Sequence, residues 1–287
     1  MPGINYRLAI DLSGSLLKVV EGAVGGPIRC GSGGVPSGAM AGGKVVDPGG
    51  VGMALRQLLA RTEVTETRAF VAASDAIATF RVLTLPAGQT DQQVAAAVAK
   101  ELPLDPERLD TQWLELHSAN EHRLVYAAAW DRSLVRGITD AVRAAGVEPE
   151  VVDLKSACIA RAVVEPSCVV VDVSSDPAEI VLIDNHVPQV WHSVTAAAMQ
   201  EEDLGAAVSP ALRSIFRFYK RRRDSGFGPG SPIFIASEQR PPEDALASLR
   251  AEFDHPVQLL PAPPRIPDHV RHATYLTCLG LIMRRSA

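Results

Sequence analysis

With 287 residues, 47% of them apolar, the chain is long enough for two lobes that each bury a core. Its 33 acidic side chains outnumber 28 basic ones, for a formal net charge of -5, which argues against a nucleic-acid binder, since these carry a basic excess on one face. The four cysteines, Cys30, Cys158, Cys168 and Cys278, lack metal-ligand spacing and suit a reducing cytoplasm, and with no leader-like start and no apolar run of bilayer-spanning length, any membrane attachment is expected to run through a partner.

The first hairpin spans Tyr6 to Gly22. Leu8, Ala9 and Ile10 read as a buried strand ending in Asp11, Ser13, Gly14 and Ser15 make a polar turn, and Leu16 to Val20 return carrying Lys18. A strand-end carboxylate, a small-residue turn with free N–H groups and a nearby lysine suit a phosphate and its magnesium, although many half-buried hairpins need such a turn. Pro27 to Cys30 add a strand, and the glycine-rich Gly31 to Gly43, lacking GxGxxG spacing, reads as a flexible surface connection. Asp47 and Pro48 open a helix with Val51, Leu55, Leu58 and Leu59 inward, and Phe70 to Ala73 return as a strand.

The pattern then changes. Phe80 to Leu85 form a strand, Thr90 and Gln93 a capping box before a helix carrying Val94, Val98 and Leu102, and Trp113 to Leu116 and Leu124 to Trp130 two further strands. Asp131 caps a second helix with Leu134, Ile138, Val142 and Ala145 inward, Gly146 ends it, and Val151 to Leu154 close the unit. We read 1–80 as a first lobe, 81–153 as a small inserted α+β domain, and 154–166 with a last helix over 269–287 as the first lobe resumed.

The second lobe, 167–268, repeats the order of the first. Cys168 to Val171 end in Asp172, Ser174 and Ser175 turn, and Ile180 to Ile183 and Val187 to Trp191 follow as strands. A long helix over Leu204 to Arg221, the strand Ile233 to Ala236, a helix over Pro242 to Phe253 and the strand Val257 to Leu260 complete it. Other constellations are weaker: His269 and His272 lack a third metal ligand, no serine sits in a nucleophile elbow, and Arg213, Arg217, Lys220, Arg221, Arg222 and Arg223 read as helix C-terminal charge or as a contact for an acidic partner or anionic lipid.

A duplicated lobe whose copies each open on an Asp-ended hairpin resembles the actin, Hsp70 and sugar-kinase superfamily, and within it the PilM family of type IV pilus assembly. The resemblance rests on Ile10, Asp11, Ser15 and Lys18 to Glu21, on Leu85, Pro86 and Glu101 to Pro103, on Val125 to Ala129, on Ala145 to Val147, Pro149, Val152, Asp153 and Ala157, and on Tyr275, Leu279 to Leu281 and Arg284. It implies an α/β, actin-like (ribonuclease H-like) fold of duplicated lobes with an insert like that of PilM and FtsA. FtsA-like chains end in an amphipathic membrane helix; the last residues here, Arg284 to Ala287, do not form one, which favours the pilus type.

By the same resemblance Asp11, Ser13, Gly14, Ser15, Lys18, Asp172, Ser174, Ser175 and Ser237 would line a nucleotide site, with Asp11 and Asp172 holding magnesium through water. The departures matter. Ser13 and Ser174 replace glycines, Ala178 or Glu179 stands at a hydroxyl position, Ile235 to Glu238 replace a paired-glycine strand end where a side chain blocks the adenosine, and only Ser193 to Asp203 remain of the segment that closes over it. The expectation is a vestigial site with weak or absent ATP and magnesium binding and no required cofactor. The expected role is a cytoplasmic scaffold at the inner face of the membrane, taking the tail of a PilN-like protein in a groove between insert and first lobe and meeting other pilus proteins. The alternatives are an active ATPase, an FtsA-like division protein and, third, a phosphotransferase.

Overall fold

The computed structural model describes the chain except residues 1–5, 103–104, 106, 120, 175–176, 195–203, 220–225, 238–240, 242 and 285–287. The calls on Ser175, Glu238 and Lys220 to Arg223 therefore lie outside the described residues, as does most of the short closing segment.

Two five-stranded sheets share one plan. In the first, β1 (Arg7–Asp11) pairs antiparallel with β2 (Leu16–Gly22) and parallel with β6 (Arg68–Ala73); β3 (Ile28–Gly34) flanks β2. In the second, β11 (Cys168–Asp172) pairs antiparallel with β12 (Ala178–Asp184) and parallel with β14 (Ile233–Ala236), flanked by β13 (Val187–Val194) and β15 (Val257–Leu259). The registers correspond residue for residue: Asp11 stands opposite Lys18 and beside Ala72, Asp172 opposite Glu179 and beside Ala236.

Side chains alternate across each strand, so each sheet has two buried faces. Leu8, Ile10, Val19 and Val71 meet α1 (Pro48–Arg61) and α3 (Arg132–Ala144) through Leu55, Leu58, Ile138 and Val142. On the second sheet Val169, Val171 and Ile180 meet α5 (Leu204–Tyr219) and α6 (Glu243–Glu252) through Val208, Leu212, Leu246 and Leu249. Between the sheets run α4 (Lys155–Ala162) and α7 (Leu276–Ile282): Cys158 and Leu279 pack on Ala9, Val20 and Ala72 of the first, Ile159 and Leu276 on Val170, Val181 and Phe234 of the second. Their crossing is tight, since a Cβ on Gly280 would lie 1.9 Å from the Cys158 carbonyl oxygen.

The insert is a three-stranded sheet of β7 (Ala78–Pro86), β9 (His122–Asp131) and β8 (Leu109–Ala119) with α2 (Asp91–Glu101) on it; Val94, Val98 and Leu102 pack on Leu83, Leu85 and Val125. Thr90 and Gln93 form the expected capping box. The sequence places the helix from Asp131 and the strand to Leu154 in this insert; in the structure α3 packs on α1, and β10 (Glu148–Leu154) pairs with β6 in the first sheet. The glycine-rich passage is also more regular than expected. Gly31 to Gly34 complete β3, with Gly31 admitting Thr62, and β4 (Met40–Ala41) and β5 (Lys44–Val45) form a small hairpin. The last helix is shorter than expected, Leu276 to Ile282.

Candidate functional site: the cleft between the hairpins

Both strand-end aspartates are buried, and each is held by its own turn. The Ser13 N–H and Oγ donate to Asp11 Oδ1 at 2.9 and 2.6 Å; those of Ser174 donate to Asp172 Oδ1 at 3.0 and 2.6 Å. These are Asx turns, in which a short carboxylate satisfies the N–H two residues on. Gly14 is half-buried and Ser15 exposed. Ser237 directly follows Ala236, the strand partner of Asp172, so it lies at the same sheet end. The structure thus gathers Asp11, Ser13, Lys18, Asp172 and Ser174 in one place, with Ser237 beside them.

Two lysines cross this cleft. Lys18, buried, donates from Nζ to the Ser174 backbone oxygen at 3.3 Å and to its Oγ at 3.4 Å. Lys155, the first residue of α4 and 1% exposed, places Nζ 2.8 Å from Asp172 Oδ2 and 2.6 Å from Glu179 Oε2. Burial alone would raise the Asp172 carboxyl, but Lys155 and Lys18 outweigh it and hold it down at about 2. Burial works against the Lys155 ammonium too, yet Asp172, Glu179 and Asp11 together raise its proton affinity above the ordinary lysine value. Glu179 is raised, chiefly by burial.

A fourth buried acid adjoins α4. Asp75, in the 3-10 turn between β6 and β7, accepts from the Ser156 N–H at 2.8 Å and from its Oγ, and so caps α4, whose own N-cap Leu154 offers no side-chain acceptor. Burial raises its carboxyl to about 7 against those hydrogen bonds, with the Glu179 charge adding to the rise.

The sequence does not bring Lys155, Glu179 and Asp75 together as a cluster. One signal was available: a lysine at the start of a helix adds positive charge to the positive end of the dipole, so Val151 to Leu154 followed by Lys155 called for a nearby carboxylate. The sequence could not say which. His269 and His272 share nothing; their Nε2 atoms contact the backbone oxygens of Ile28 and Leu260. Among the described residues no cluster of three metal-ligating side chains occurs.

A second cleft, of about 430 Å³, separates the insert from the second lobe. Asp75, Ala78 to Arg81 of β7, Gln189 to His192 of β13, and Ser214 and Phe218 of α5 are among the residues that line it. β7 and β13 are edge strands of their sheets, and Phe218 is 61% exposed.

No protein-family model matches the sequence, and no curated protein matches it. Solved structures do. The PilM–PilN type IV pilus biogenesis complex superposes with a TM-score of 0.72 at 19% identity, over 97% of this chain and 98% of the other. The cytoplasmic domain of EpsL, an inner-membrane component of the type II secretion system of Vibrio cholerae, gives 0.55 at 13% identity over 98% and 96%. A Bacteroides thetaiotaomicron protein of actin-like ATPase fold and unknown function gives 0.52 at 12% identity over 96% of both chains. The chain has the actin-like ATPase fold. The actin-like fold implies a place for Mg²⁺ and a nucleotide between the hairpins, and in this chain two ammonium groups, Lys18 and Lys155, already stand there. Both Asp172 oxygens are committed, one to Ser174 and one to Lys155, and an ammonium stands beside the carboxylates that a hydrated cation would need.

Proposed function

We propose that this protein is an actin-like scaffold of type IV pilus or related secretion assembly, that it docks the cytoplasmic tail of a PilN-like inner-membrane protein, and that it works without competent ATP hydrolysis. The observation that carries this reading is the end-to-end likeness to the PilM–PilN structure, insert included, with a TM-score of 0.72. Its place in the cell would be the cytoplasm at the inner face of the membrane, through its partner; among the described residues no helix is long and apolar enough to cross. The sequence suggests a groove between insert and first lobe, whereas the cleft described above lies between insert and second lobe. An extended tail would add to the β7 or β13 edge by main-chain pairing and seat an apolar side chain against Phe218 and Trp191.

Calorimetry with a synthetic cytoplasmic tail of a PilN-like single-pass membrane protein from the same organism tests it. We expect binding, weakened roughly tenfold by Phe218→Ser, an exposed residue whose loss leaves the melting temperature unchanged. A tail that does not bind the wild-type protein overturns the docking reading; steady turnover of ATP lost in Asp11→Ala overturns the other half in favour of an active ATPase.

A further inference from the structure

Lys155 is a buried cation with no role in the docking reading. Three features of its setting stand apart from the docking reading and do not depend on it. Its side chain is 1% exposed, although lysine is among the residues least often buried unless paired. It starts α4, directly after the β10 strand of the first sheet, and yet both of its carboxylates, Asp172 and Glu179, belong to the hairpin of the second lobe. Those carboxylates face each other across the β11–β12 ladder as register partners. Without a cation between them, two buried like charges at such range would force one to take up a proton.

The first hairpin presents the complementary half. Opposite Asp11 the register places Lys18 instead of an acid, and Lys18 also reaches across to Ser174 of the second hairpin. Two ammonium groups from the first lobe's strands and their continuation thus converge on one turn of the second lobe. In an actin-like body that binds Mg²⁺ and a nucleotide, a cation between the hairpins would supply that bridge and would come and go with the ligand. A lysine supplies the bridge permanently, being covalently part of the chain.

We propose that the Lys155 ammonium is a resident cation that takes the place of the exchangeable metal, so that the two lobes are held in one arrangement whether or not nucleotide is present. The bond is made by charge-assisted hydrogen bonds that burial strengthens. α4 itself is wedged between both sheets and against Gly280 of α7, so the backbone that carries Lys155 is fixed by packing. Asp75 completes the arrangement by holding Ser156, the next residue, through its N–H and hydroxyl.

The test uses the full chain, with Mg·ATP and Mn²⁺ alone as probes, and reads melting temperature and hydrogen exchange of the β1–β2 and β11–β12 strands. For the wild type we expect no change in either readout with millimolar Mg·ATP. Lys155→Met keeps the length of the side chain and removes its charge; the melting temperature should fall by roughly 10 °C, with faster exchange in β11–β12 than in the insert. Lys155→Ala leaves Asp172 and Glu179 facing a vacated space, and Mn²⁺ should restore part of the lost stability there while leaving the wild type unmoved. Should the single variants fail to fold, Lys155→Met combined with Glu179→Gln removes one charge of each sign and is expected to recover much of the melting temperature. Protection of the wild-type hairpins by Mg·ATP, or a Lys155→Met protein as stable and as protected as wild type, overturns the proposal.

Discussion

The two hairpins make the same turn and carry different electrostatic burdens. Asp11 and Asp172 end equivalent strands, accept from equivalent serines at nearly equal distances and are equally buried. Opposite them stand Lys18 in one lobe and Glu179 in the other. One position on the returning strand therefore decides what each aspartate has to do. In the first hairpin a lysine of the same hairpin stands across the ladder. In the second a second acid does, and a cation must come from elsewhere; Lys155 supplies it. The lesson is that a local motif can be conserved in geometry between repeats while its chemistry is set by a single cross-strand partner.

The largest expected effect breaks that symmetry directly. Asp172→Asn keeps an acceptor for Ser174 but leaves Lys155 with Glu179 alone, and breaking a buried pair of this kind costs roughly 3–5 kcal/mol. Asp11→Asn also keeps its acceptor for Ser13 and leaves the Lys155 ion pair with Asp172 and Glu179 intact, so its cost is about 1 kcal/mol. Urea unfolding of the two variants measures the difference. Equal losses would mean that Lys155 does not distinguish the hairpins.

Acidity sharpens the comparison in two opposed windows. Asp172, held down at about 2, contributes stability that is present above the unfolded carboxyl value of roughly 4 and is lost as pH falls through its folded value. Asp75, raised to about 7, does the reverse: the folded protein holds its proton more tightly, so its contribution is complete below pH ~4 and disappears as pH rises to 7. The two shifts correspond to on the order of 2–4 kcal/mol each. Stability should therefore peak near pH ~4 to 5, and Asp75→Asn should flatten the decline above it. Thermal melts across that range decide the matter; an unchanged decline in Asp75→Asn removes Asp75 as its source.

Much of this body is legible in the sequence because its signals are local. Leu8 to Asp11 and Cys168 to Asp172 are apolar runs with an acid and a serine turn after them, and the capping box at Thr90 and Gln93 lies within one helical turn. The repeat follows from such signals, and the family resemblance it carries implies the actin-like fold and the gathering of Asp11, Lys18, Asp172 and Ser174. Periodicity, however, tells which face of an element is buried and not against what. That is why α3 and β10, apolar on the expected sides, look like part of the insert when Ile138, Val142 and the β6 pairing tie them to the first lobe. Lys155 is hidden for the same reason. Its partners lie in the next lobe, beyond the end of α4, and only the register shows that Glu179 occupies the place of Lys18.

The smallest expected effect asks whether the turns themselves are equivalent. Ser13→Ala and Ser174→Ala each remove one hydroxyl that donates to a buried aspartate at 2.6 Å and leave the backbone N–H bond in place. Each should cost about 1 kcal/mol. Ser174 also receives Lys18, but at 3.4 Å to its hydroxyl that contact is long, and the backbone oxygen at 3.3 Å remains after the substitution. The two losses should therefore agree within about 0.5 kcal/mol, and the double variant should be additive, since each hydroxyl serves its own carboxylate. A Ser174→Ala loss larger by more than about 1 kcal/mol, or strong coupling to Ser13→Ala, would place part of the cross-lobe tie in the turn hydroxyls. The asymmetry between the hairpins would then begin one residue pair earlier than the Lys18 and Glu179 positions.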